Sequence, residues 1–346
     1  MTTISRAELT LADAMASPCA TCTGTPCCTN LPVHRLRVAT LIDLDYIRYL
    51  LNFDALVVTL ASNGEWSVFL GAACRHLDQA SGRCRVHGQP DQPHICATYN
   101  PYTCWYKGAL GSGGDSDTFR VDRRRWEVIA RRTVFDEGRH IIEAPSWDDL
   151  AAEFASQDDP PNVSPLPLPP PPAPAGEVAV AIGRPHGWEV EAGGRGATAP
   201  FATSPCTGCA APCCTNVVFP YPIPDSATNL DFLRFALGFP GVRVVTGPDE
   251  WGIAVTSTCR HLADGRCSVI ATAERPLRCS YYDEWRCTYK VTFGPSSSPP
   301  PPGVSVLDLD AFVELLPTFG VDDSGRINRG PTDAQIAGCA ARRLPG

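Results

Sequence analysis

The sequence predicts an α+β protein made of two similar small cysteine-rich metal-binding modules joined by a proline-rich linker. Three observations lead to this prediction. The 17 cysteines of the 346 residues fall into two matching sets of eight, with one left over. A proline-rich tract separates the two sets. Strand and helix patterns also follow each other in the same order in both parts of the chain.

The two sets of cysteines have almost the same spacing. The sixth and seventh cysteines are twelve residues apart in both sets, and the seventh and eighth are eight apart in both. The segments Cys-Thr-Asn, Cys-Arg-His-Leu and Gly-Arg-Cys recur at matching positions. These matches indicate a tandem duplication. The first set is Cys19, Cys22, Cys27, Cys28, Cys74, Cys84, Cys96 and Cys104; the second is Cys206, Cys209, Cys213, Cys214, Cys259, Cys267, Cys279 and Cys287; Cys339 has no counterpart.

The composition of the chain places the domain boundaries. We predict a first cysteine-cluster module at residues 1–157, a proline/glycine-rich linker at 158–200 and a second cysteine-cluster module at 201–346. Residues 158–175 read DDPPNVSPLPLPPPPAPA, a composition that favours extended polyproline II and forms a semi-rigid spacer. Each copy has roughly 135 residues, which is enough for a core of its own.

Each copy is predicted to contain a strand, a helix and a β-hairpin, followed after the last cysteine by a strand, a helix and a short strand. The first copy has its predicted strands at 34–40, 54–60, 66–72, 119–121 and 135–142, its helices at 41–53 and 123–132, and a hairpin turn at Asn63-Gly64. The second copy has its predicted strands at 217–219, 242–246, 251–256, 304–306 and 321–327, and its helices at 230–239 and 308–316.

Charge and hydropathy argue against several classes of partner. A formal net charge of −8 argues against a nucleic-acid partner. No apolar run approaches the roughly 20 residues that a membrane-spanning helix needs. The N-terminus lacks the basic segment and apolar stretch of a secretory signal, so the cytoplasm is the expected location. Because thiols stay reduced there, metal binding or catalysis is expected before disulfides.

All sixteen repeated cysteines are candidate metal ligands. A Cys-x2-Cys pair can bind one ion without backbone strain, and thiolates select zinc, Cu(I) or iron–sulfur clusters over magnesium or calcium. We expect the side chains of the vicinal Cys-Cys pair to point apart, as in a strand, and so not to share one tetrahedral ion. Two centres, one polynuclear cluster, or one centre with additional thiols all remain open for each copy. His76 and His261, at matching positions, are expected to be packed or hydrogen-bonded beside the site.

The second copy carries a specific set of motifs. They are Cys206-x2-Cys209, Cys213-Cys214, Cys259-Arg-His-Leu, Gly-Arg-Cys267 and Arg275-Pro-Leu-Arg-Cys279. This set resembles the YkgJ-like cysteine-cluster family, a CxxCxxCC zinc- or iron-chelating domain to which flagellin lysine N-methylase is similar. The resemblance covers about 85 residues of each copy, or half the chain, and Cys104 and Cys287 lie beyond its motif. The first copy departs from it with Gln92-Pro-His-Ile-Cys96, and both copies place more than two residues between the Cys-x2-Cys and Cys-Cys pairs.

The predicted function is a tandem metal-binding protein that serves as a binding, sensing or maturation module. Its cofactor would be an iron–sulfur cluster or zinc, with a slight preference for the cluster because eight thiols exceed what one zinc ion needs. Metal ions and a protein are the expected partners. Two alternatives remain open: an S-adenosylmethionine-dependent protein N-methylase, implied by the resemblance, and a disulfide-rich secreted scaffold. Whether the chain is an enzyme is also left open.

Overall fold

The computed structural model describes residues 25–100, 104–110, 117–155, 211–270, 272–282, 287–293 and 303–341. We call residues 25–155 the first half and residues 211–341 the second half. The predicted linker at 158–200 lies outside the described residues, as do Cys19, Cys22, Cys206 and Cys209. The described residues form helices and antiparallel sheets, which confirms the mixed α+β class.

Each half contains eight strands among its described residues. Those of the first half are β1 (Asn30–Arg37), β2 (Leu56–Ala61), β3 (Glu65–Gly71), β4 (Leu77–Asp78), β5 (Arg83–Cys84), β6 (Thr118–Val121), β7 (Val134–Phe135) and β8 (Ile141–Glu143). Those of the second half are β9 (Asn216–Tyr221), β10 (Val242–Thr246), β11 (Trp251–Thr256), β12 (Leu262–Ala263), β13 (Arg266–Cys267), β14 (Ser305–Leu307), β15 (Gly320–Val321) and β16 (Ile327–Arg329).

The helices are short, from 4 to 11 residues. Those of the first half are α1 (Pro26–Thr29), α2 (Leu41–Leu50), α3 (His94–Ala97), α4 (Trp105–Ala109), α5 (Arg123–Arg132) and α6 (Trp147–Phe154). Those of the second half are α7 (Ala227–Leu237), α8 (Leu277–Ser280), α9 (Thr288–Phe293), α10 (Leu309–Leu315) and α11 (Asp333–Ala341), with 3-10 turns at Pro212–Cys214 and Leu316–Thr318.

Each half is built on a four-stranded antiparallel sheet. The strand order is β1-β3-β2-β6 in the first half and β9-β11-β10-β14 in the second, so corresponding strands occupy corresponding places. The predicted turn at Asn63-Gly64 joins β2 to β3, and the Asn63 carboxamide accepts a hydrogen bond from the backbone of Glu65 at 2.9 Å. The remaining strand pairs are two-stranded hairpins.

The structure differs from the local predictions in two respects beyond their end points. It contains elements that the prediction lacks, namely the short helices that carry cysteines, the hairpins β4–β5 and β12–β13, and the final helices α6 and α11. In addition, the sequence predicts one short strand for each of the regions 135–142 and 321–327. Each region forms a hairpin instead, β7 with β8 and β15 with β16, because a turn at 136–139 or 322–325 reverses the chain. In the second of these turns, the Asp322 carboxylate accepts hydrogen bonds from the backbone N–H groups of Ser324 and Arg326 at 2.9 and 3.0 Å.

Helix α2 begins where its side chains can satisfy the first backbone N–H groups. The Thr40 hydroxyl accepts a hydrogen bond from the N–H of Asp43 at 3.2 Å, and the Asp43 carboxylate accepts one from the N–H of Thr40 at 2.9 Å. Ser226 caps α7 at the corresponding position by accepting from Asn229 N–H at 3.3 Å. Helices α2 and α7 therefore start at equivalent points of the two halves.

The largest group of buried hydrophobic residues includes side chains from both halves. Ile47 and Val68 of the first half belong to it together with Phe219, Leu233 and Val244 of the second. Although each copy is long enough for a core of its own, the main cluster is shared between the two halves. The two halves instead pack their apolar helix and sheet faces against each other, which removes more apolar surface from water than either could alone.

The opposite faces of the two sheets have smaller apolar clusters. Phe69 lies between Val68 and Leu70 on β3 but packs on the other face, because side chains alternate along a strand. There it contacts a group containing Val57 and Tyr106, with Cys27 and Cys104 at its margin. Both faces of the first sheet are thus covered, and part of the cysteine-bearing chain lies on the second face.

None of the helices among the described residues is long and apolar enough to cross a membrane.

Candidate metal centres

Separate cysteine segments are joined by backbone hydrogen bonds in the same way in both halves. The N–H of Cys74 donates to the carbonyl of Cys28 at 2.7 Å, and the N–H of Cys259 donates to the carbonyl of Cys214 at 2.7 Å. Cysteines that are 46 or 45 positions apart in sequence are therefore adjacent in the fold.

Two small hairpins bring one further cysteine back to each site. Cys84 pairs with Leu77 across β4 and β5, and Cys267 pairs with Leu262 across β12 and β13. The second hairpin turns through Gly265, whose φ of +72° lies in the left-handed region that glycine adopts without steric cost. The Gly-Arg-Cys segment found in both copies thus has a structural reason: it returns the cysteine toward the start of its own hairpin.

The thiols of the first half lie close enough to influence one another's ionisation. Burial raises the pKa of Cys74, and the neighbouring charges of Cys84 and Cys27 raise it further. Burial also raises the pKa of Cys96 to about 12, with further contributions from Cys74, Cys27 and Cys84. Thiolates from four different segments therefore repel one another, and a bound cation would relieve this electrostatic repulsion.

The second half repeats this arrangement. Burial raises the pKa of Cys259, and the charges of Cys267 and Cys213 raise it further. Burial raises the pKa of Cys279 to about 12, as do Cys213 and Cys267. We call the first group, Cys27, Cys28, Cys74, Cys84 and Cys96, the first thiol cluster, and its counterpart, Cys213, Cys214, Cys259, Cys267 and Cys279, the second thiol cluster.

The vicinal pair has a different geometry from the one predicted. Cys27 and Cys28 lie in the helical turn α1 rather than in a strand, and their sulfur atoms are 3.9 Å apart. Two sulfurs bound to one tetrahedral zinc at about 2.3 Å would be about 3.8 Å apart. The expectation that neighbouring sulfurs diverge too far to share an ion is therefore wrong.

A hydrogen bond between the two sulfurs of each vicinal pair separates their pKa values. It lowers the pKa of Cys27 to about 7 and raises that of Cys28. The same interaction lowers the pKa of Cys213 to about 7 and raises that of Cys214. One sulfur of each pair thus ionises more readily than its neighbour, and the thiolate is the form that binds metal.

A strained residue precedes each vicinal pair. Thr25 has φ +37° and Ala211 has φ +50°, both in the left-handed region that costs side-chain-bearing residues about 1–2 kcal/mol. Their carbonyls accept hydrogen bonds from Cys28 N–H and Cys214 N–H at 2.8 Å. The strain therefore accompanies the tight turn that places both sulfurs on the same side.

The last cysteine of each set is held by a tyrosine that the sequence reasoning missed. The Tyr99 hydroxyl donates to the Cys104 sulfur at 3.6 Å, and the Tyr282 hydroxyl donates to the Cys287 sulfur at 3.5 Å. Both tyrosines precede their cysteine by five residues, so extending the repeat comparison beyond the cysteines would have found them.

Arg275 gives the Arg-Pro-Leu-Arg-Cys segment a structural role. Its guanidinium donates to the carbonyl of Cys279 at 2.6 Å and to that of Ile270 at 3.3 Å. The loop that precedes Cys279 is thereby tied to the cysteine itself. Gln92 occupies this position in the first half and instead accepts a hydrogen bond from Gly88 N–H at 2.7 Å.

The backbones of the two histidines lie beside the clusters, and the packing or hydrogen bonding of their side chains stays a prediction. The carbonyl of His76 accepts from Arg85 N–H, and that of His261 accepts from Ser268 N–H, both at 2.8 Å, so each histidine backbone lies at the base of its hairpin. Burial lowers the pKa of both imidazoles. The Nε2 atom of His261 is buried and has no hydrogen-bond partner within the described part of the chain.

The donor set fits a soft metal, but the described side chains do not form a complete site. No group of three or more His, Cys, Asp or Glu side chains in the described ranges is gathered closely enough to hold an ion. The Cys-x2-Cys pairs that would join each cluster are Cys19 with Cys22 and Cys206 with Cys209, outside those ranges. Metal binding therefore stays a prediction, as does the involvement of Cys104 and Cys287.

The thirteen described cysteines are thiols, without a disulfide among them. Twelve belong to the repeated sets, and the other, Cys339, is buried in α11 as part of the main hydrophobic cluster.

Comparison with protein-family models, with curated proteins and with solved structures finds no match for this chain.

Proposed function

We propose that each half of the chain holds a thiolate-bound metal centre and that the protein acts as a metal-binding module for sensing or for metal-centre maturation. The observation that carries this proposal is the repeated arrangement of the cysteine segments: backbone hydrogen bonds join Cys74 to Cys28 and Cys259 to Cys214, and equivalent hairpins carry Cys84 and Cys267. A purely structural use of cysteine as a small apolar residue does not require such a repeated arrangement.

The chemistry of the donors supports a soft ion or cluster. Burial and the charges of neighbouring cysteines raise the pKa of Cys74 and of Cys259, so negative charge accumulates at each site on ionisation. Sulfur ligands select zinc, Cu(I) or iron–sulfur clusters, and binding replaces thiol protons with the cation. Such a centre would supply either structural cross-linking or electron transfer.

The assignment of ligands follows the clusters. The first thiol cluster with Cys19 and Cys22, and the second with Cys206 and Cys209, would hold one centre each or one polynuclear cluster each. The 3.9 Å separation between the Cys27 and Cys28 sulfurs allows both to contact one ion. Because one zinc ion could bind both sulfurs of the pair, the geometry does not favour an iron–sulfur cluster over zinc. We therefore propose both as candidates. The resemblance to the YkgJ-like family supports the same two metals.

Anaerobic purification with metal and acid-labile sulfide analysis tests the proposal. Iron with sulfide and visible absorption identifies an iron–sulfur cluster, whereas zinc without sulfide identifies zinc. Protein that purifies without metal under these conditions, and does not bind zinc or reconstituted iron and sulfide, would exclude the proposed function.

A pair of variants locates the centres. Cys267→Ser should lower the metal content by the share of the second half and leave the first half occupied. Cys339→Ala is the matched control, because this buried thiol belongs to neither repeated set and lies in α11, which packs against α10 and β14, and it should leave the metal content unchanged. Unchanged metal in Cys267→Ser would contradict the ligand assignment.

A further inference from the structure

Each thiol cluster is contacted by a helix of the opposite half. Helix α7 of the second half lies against α3, which carries Cys96 of the first half, and helix α2 of the first half lies against α8, which carries Cys279. Each of these two equivalent helices therefore lies against the cysteine-bearing helix of the other half. The repeat alone does not determine whether each helix lies against the cysteines of its own copy or against those of the other copy.

An aspartate in each helix binds the backbone beside the opposite cysteine. The Asp231 carboxylate accepts hydrogen bonds from His94 N–H at 2.9 Å and from Ile95 N–H at 2.6 Å, immediately before Cys96. The Asp45 carboxylate accepts from Leu277 N–H at 2.6 Å and also from Arg278 N–H, immediately before Cys279.

These N–H groups belong to the first turns of α3 and α8, where helices have no internal acceptors for them. Each aspartate therefore caps a cysteine-bearing turn of the other half. Charge-assisted hydrogen bonds of this kind are among the strong ones. Asp45 is only 5% exposed, so its removal would leave partly buried backbone donors without this acceptor.

The end of each helix provides a second contact with the same opposite cluster. The carbonyl of Gly238, just after α7, accepts from Arg75 N–H at 2.8 Å, next to Cys74. The carbonyl of Asn52, just after α2, accepts from Arg260 N–H at 2.8 Å, next to Cys259. Helix α7 thus fixes two cysteine segments of the first half, and α2 fixes two of the second.

Side chains add further contacts between each helix and the opposite half. Arg234 donates to the carbonyl of Asp91 at 2.7 Å, and Arg48, at the equivalent position of α2, donates to the carbonyl of Arg275 at 3.3 Å. The guanidinium of Arg278 stacks over the ring of Tyr46 at 4.7 Å. Aspartate, arginine and helix end all recur at equivalent positions, which argues against an incidental contact.

We propose that α7 positions the first thiol cluster through Asp231 and that α2 positions the second thiol cluster through Asp45, so that each half completes the site of the other. Asp45 and Asp231 are positioning residues, not metal ligands. The proposal deepens the proposed function, on which only its metal readout rests, since the placement of the cysteines can be measured without metal.

Site-resolved alkylation tests the positioning. The reduced full-length chain and its variants are treated with iodoacetamide, and the modified peptides are quantified by mass spectrometry. Asp231→Ala should speed the alkylation of Cys96, in the other half, by roughly tenfold, because the turn loses two charge-assisted hydrogen bonds. Alkylation of Cys279 should change by less than about twofold, since its own anchor is intact. Asp45→Ala should show the reverse pattern.

Matched controls come from the same two helices. Asp43 and Asn229 occupy equivalent positions and make their hydrogen bonds at the start of their own helices. Asp43→Ala and Asn229→Ala should therefore leave the ratio of Cys96 to Cys279 alkylation unchanged. If the alanine variants of the aspartates do not stay folded, Asp45→Asn and Asp231→Asn retain an acceptor and are compared by the same ratio.

Two results would overturn the proposal. One is acceleration of the cysteine in the same half as the substitution rather than in the opposite half. The other is equal acceleration of Cys96 and Cys279 in a variant that retains the circular dichroism spectrum of the parent.

Metal content provides a separate readout. Asp231→Ala combined with Cys84→Ser should lose no more metal than Cys84→Ser alone, because both act on the first cluster. The double variant that combines Asp231→Ala with Cys267→Ser should lose the metal of both halves. Additive losses in the first pair would count against the proposal. A parent protein that binds no metal would refute the proposed function, and the alkylation ratio would still decide the positioning.

Discussion

Equivalent positions of the repeat carry different residues next to the two clusters. Arg275 ties the carbonyl of Cys279 to that of Ile270, whereas Gln92 occupies the corresponding position near Cys96. Arg278, immediately before Cys279, corresponds to Ile95. The second cluster therefore lies beside two arginines that the first cluster lacks, and its cysteine loop is held by additional hydrogen bonds.

Arg275→Gln introduces the residue of the first half into the second. It should lower the free energy of unfolding by about 1–2 kcal/mol, because two backbone carbonyls lose a charged donor. Chemical denaturation of the full-length protein measures this. Arg266→Gln, at an exposed position in β13, is the control and should change stability by less than about 0.5 kcal/mol. Equal stabilities of the two variants would show that the Arg275 hydrogen bonds contribute little.

Helical turns rather than extended strands present the vicinal cysteines. Pro212 begins the 3-10 turn that contains Cys213 and Cys214, and Ala211 precedes it in a left-handed conformation. Proline suits the first position of such a turn because its fixed φ is already helical and its missing N–H has no partner to lose. The conformational cost of the turn therefore falls on the residue before proline.

Ala211→Gly should raise the free energy of unfolding by about 0.5–1 kcal/mol. Glycine removes the roughly 1–2 kcal/mol steric cost of the left-handed conformation, and its greater freedom in the unfolded chain offsets part of that gain. Ala151→Gly within α6 should instead lower the free energy of unfolding by about 1 kcal/mol, since glycine is unfavourable inside a helix. Thermal and chemical denaturation measure both, and destabilisation by Ala211→Gly would contradict the assigned strain.

The two halves are expected to unfold as one cooperative unit. Their apolar residues share the main cluster, and reciprocal hydrogen bonds link α2 to α8 and α7 to α3. Breaking one half would expose apolar surface and backbone donors of the other. The duplication thus resembles a dimer whose two subunits are covalently joined, with equivalent contacts made in both directions.

A protease site introduced between residues 158 and 200 tests this unity. After cleavage, the two fragments should still co-elute in size-exclusion chromatography and unfold in a single transition, because the contacts described above do not depend on the linker. Separate elution of the fragments, or two calorimetric transitions in the uncut protein, would show that the halves are independent. The uncut protein with the inserted site serves as the control.

Much of the secondary structure could be predicted because it depends on neighbours in sequence. The strands β10 and β11 begin and end at the predicted residues, and so does helix α5. Alternation of apolar residues, helical periodicity and turn residues are local signals, so one sequence was sufficient. The repeated cysteines also identified all the segments that form the two thiol clusters, although not how the vicinal sulfurs are oriented.

The order of the elements and the choice of sulfur as the candidate ligand follow from residue types and spacing along the chain. Which helix lies against which cysteine does not, because both copies carry the same pattern and could satisfy it within one half or between the two. Asp45 meets Leu277 across 232 positions of sequence, and no periodicity encodes such a pairing. Burial of the shared apolar faces brought the halves together, and that packing determined that each cluster is completed by the opposite half.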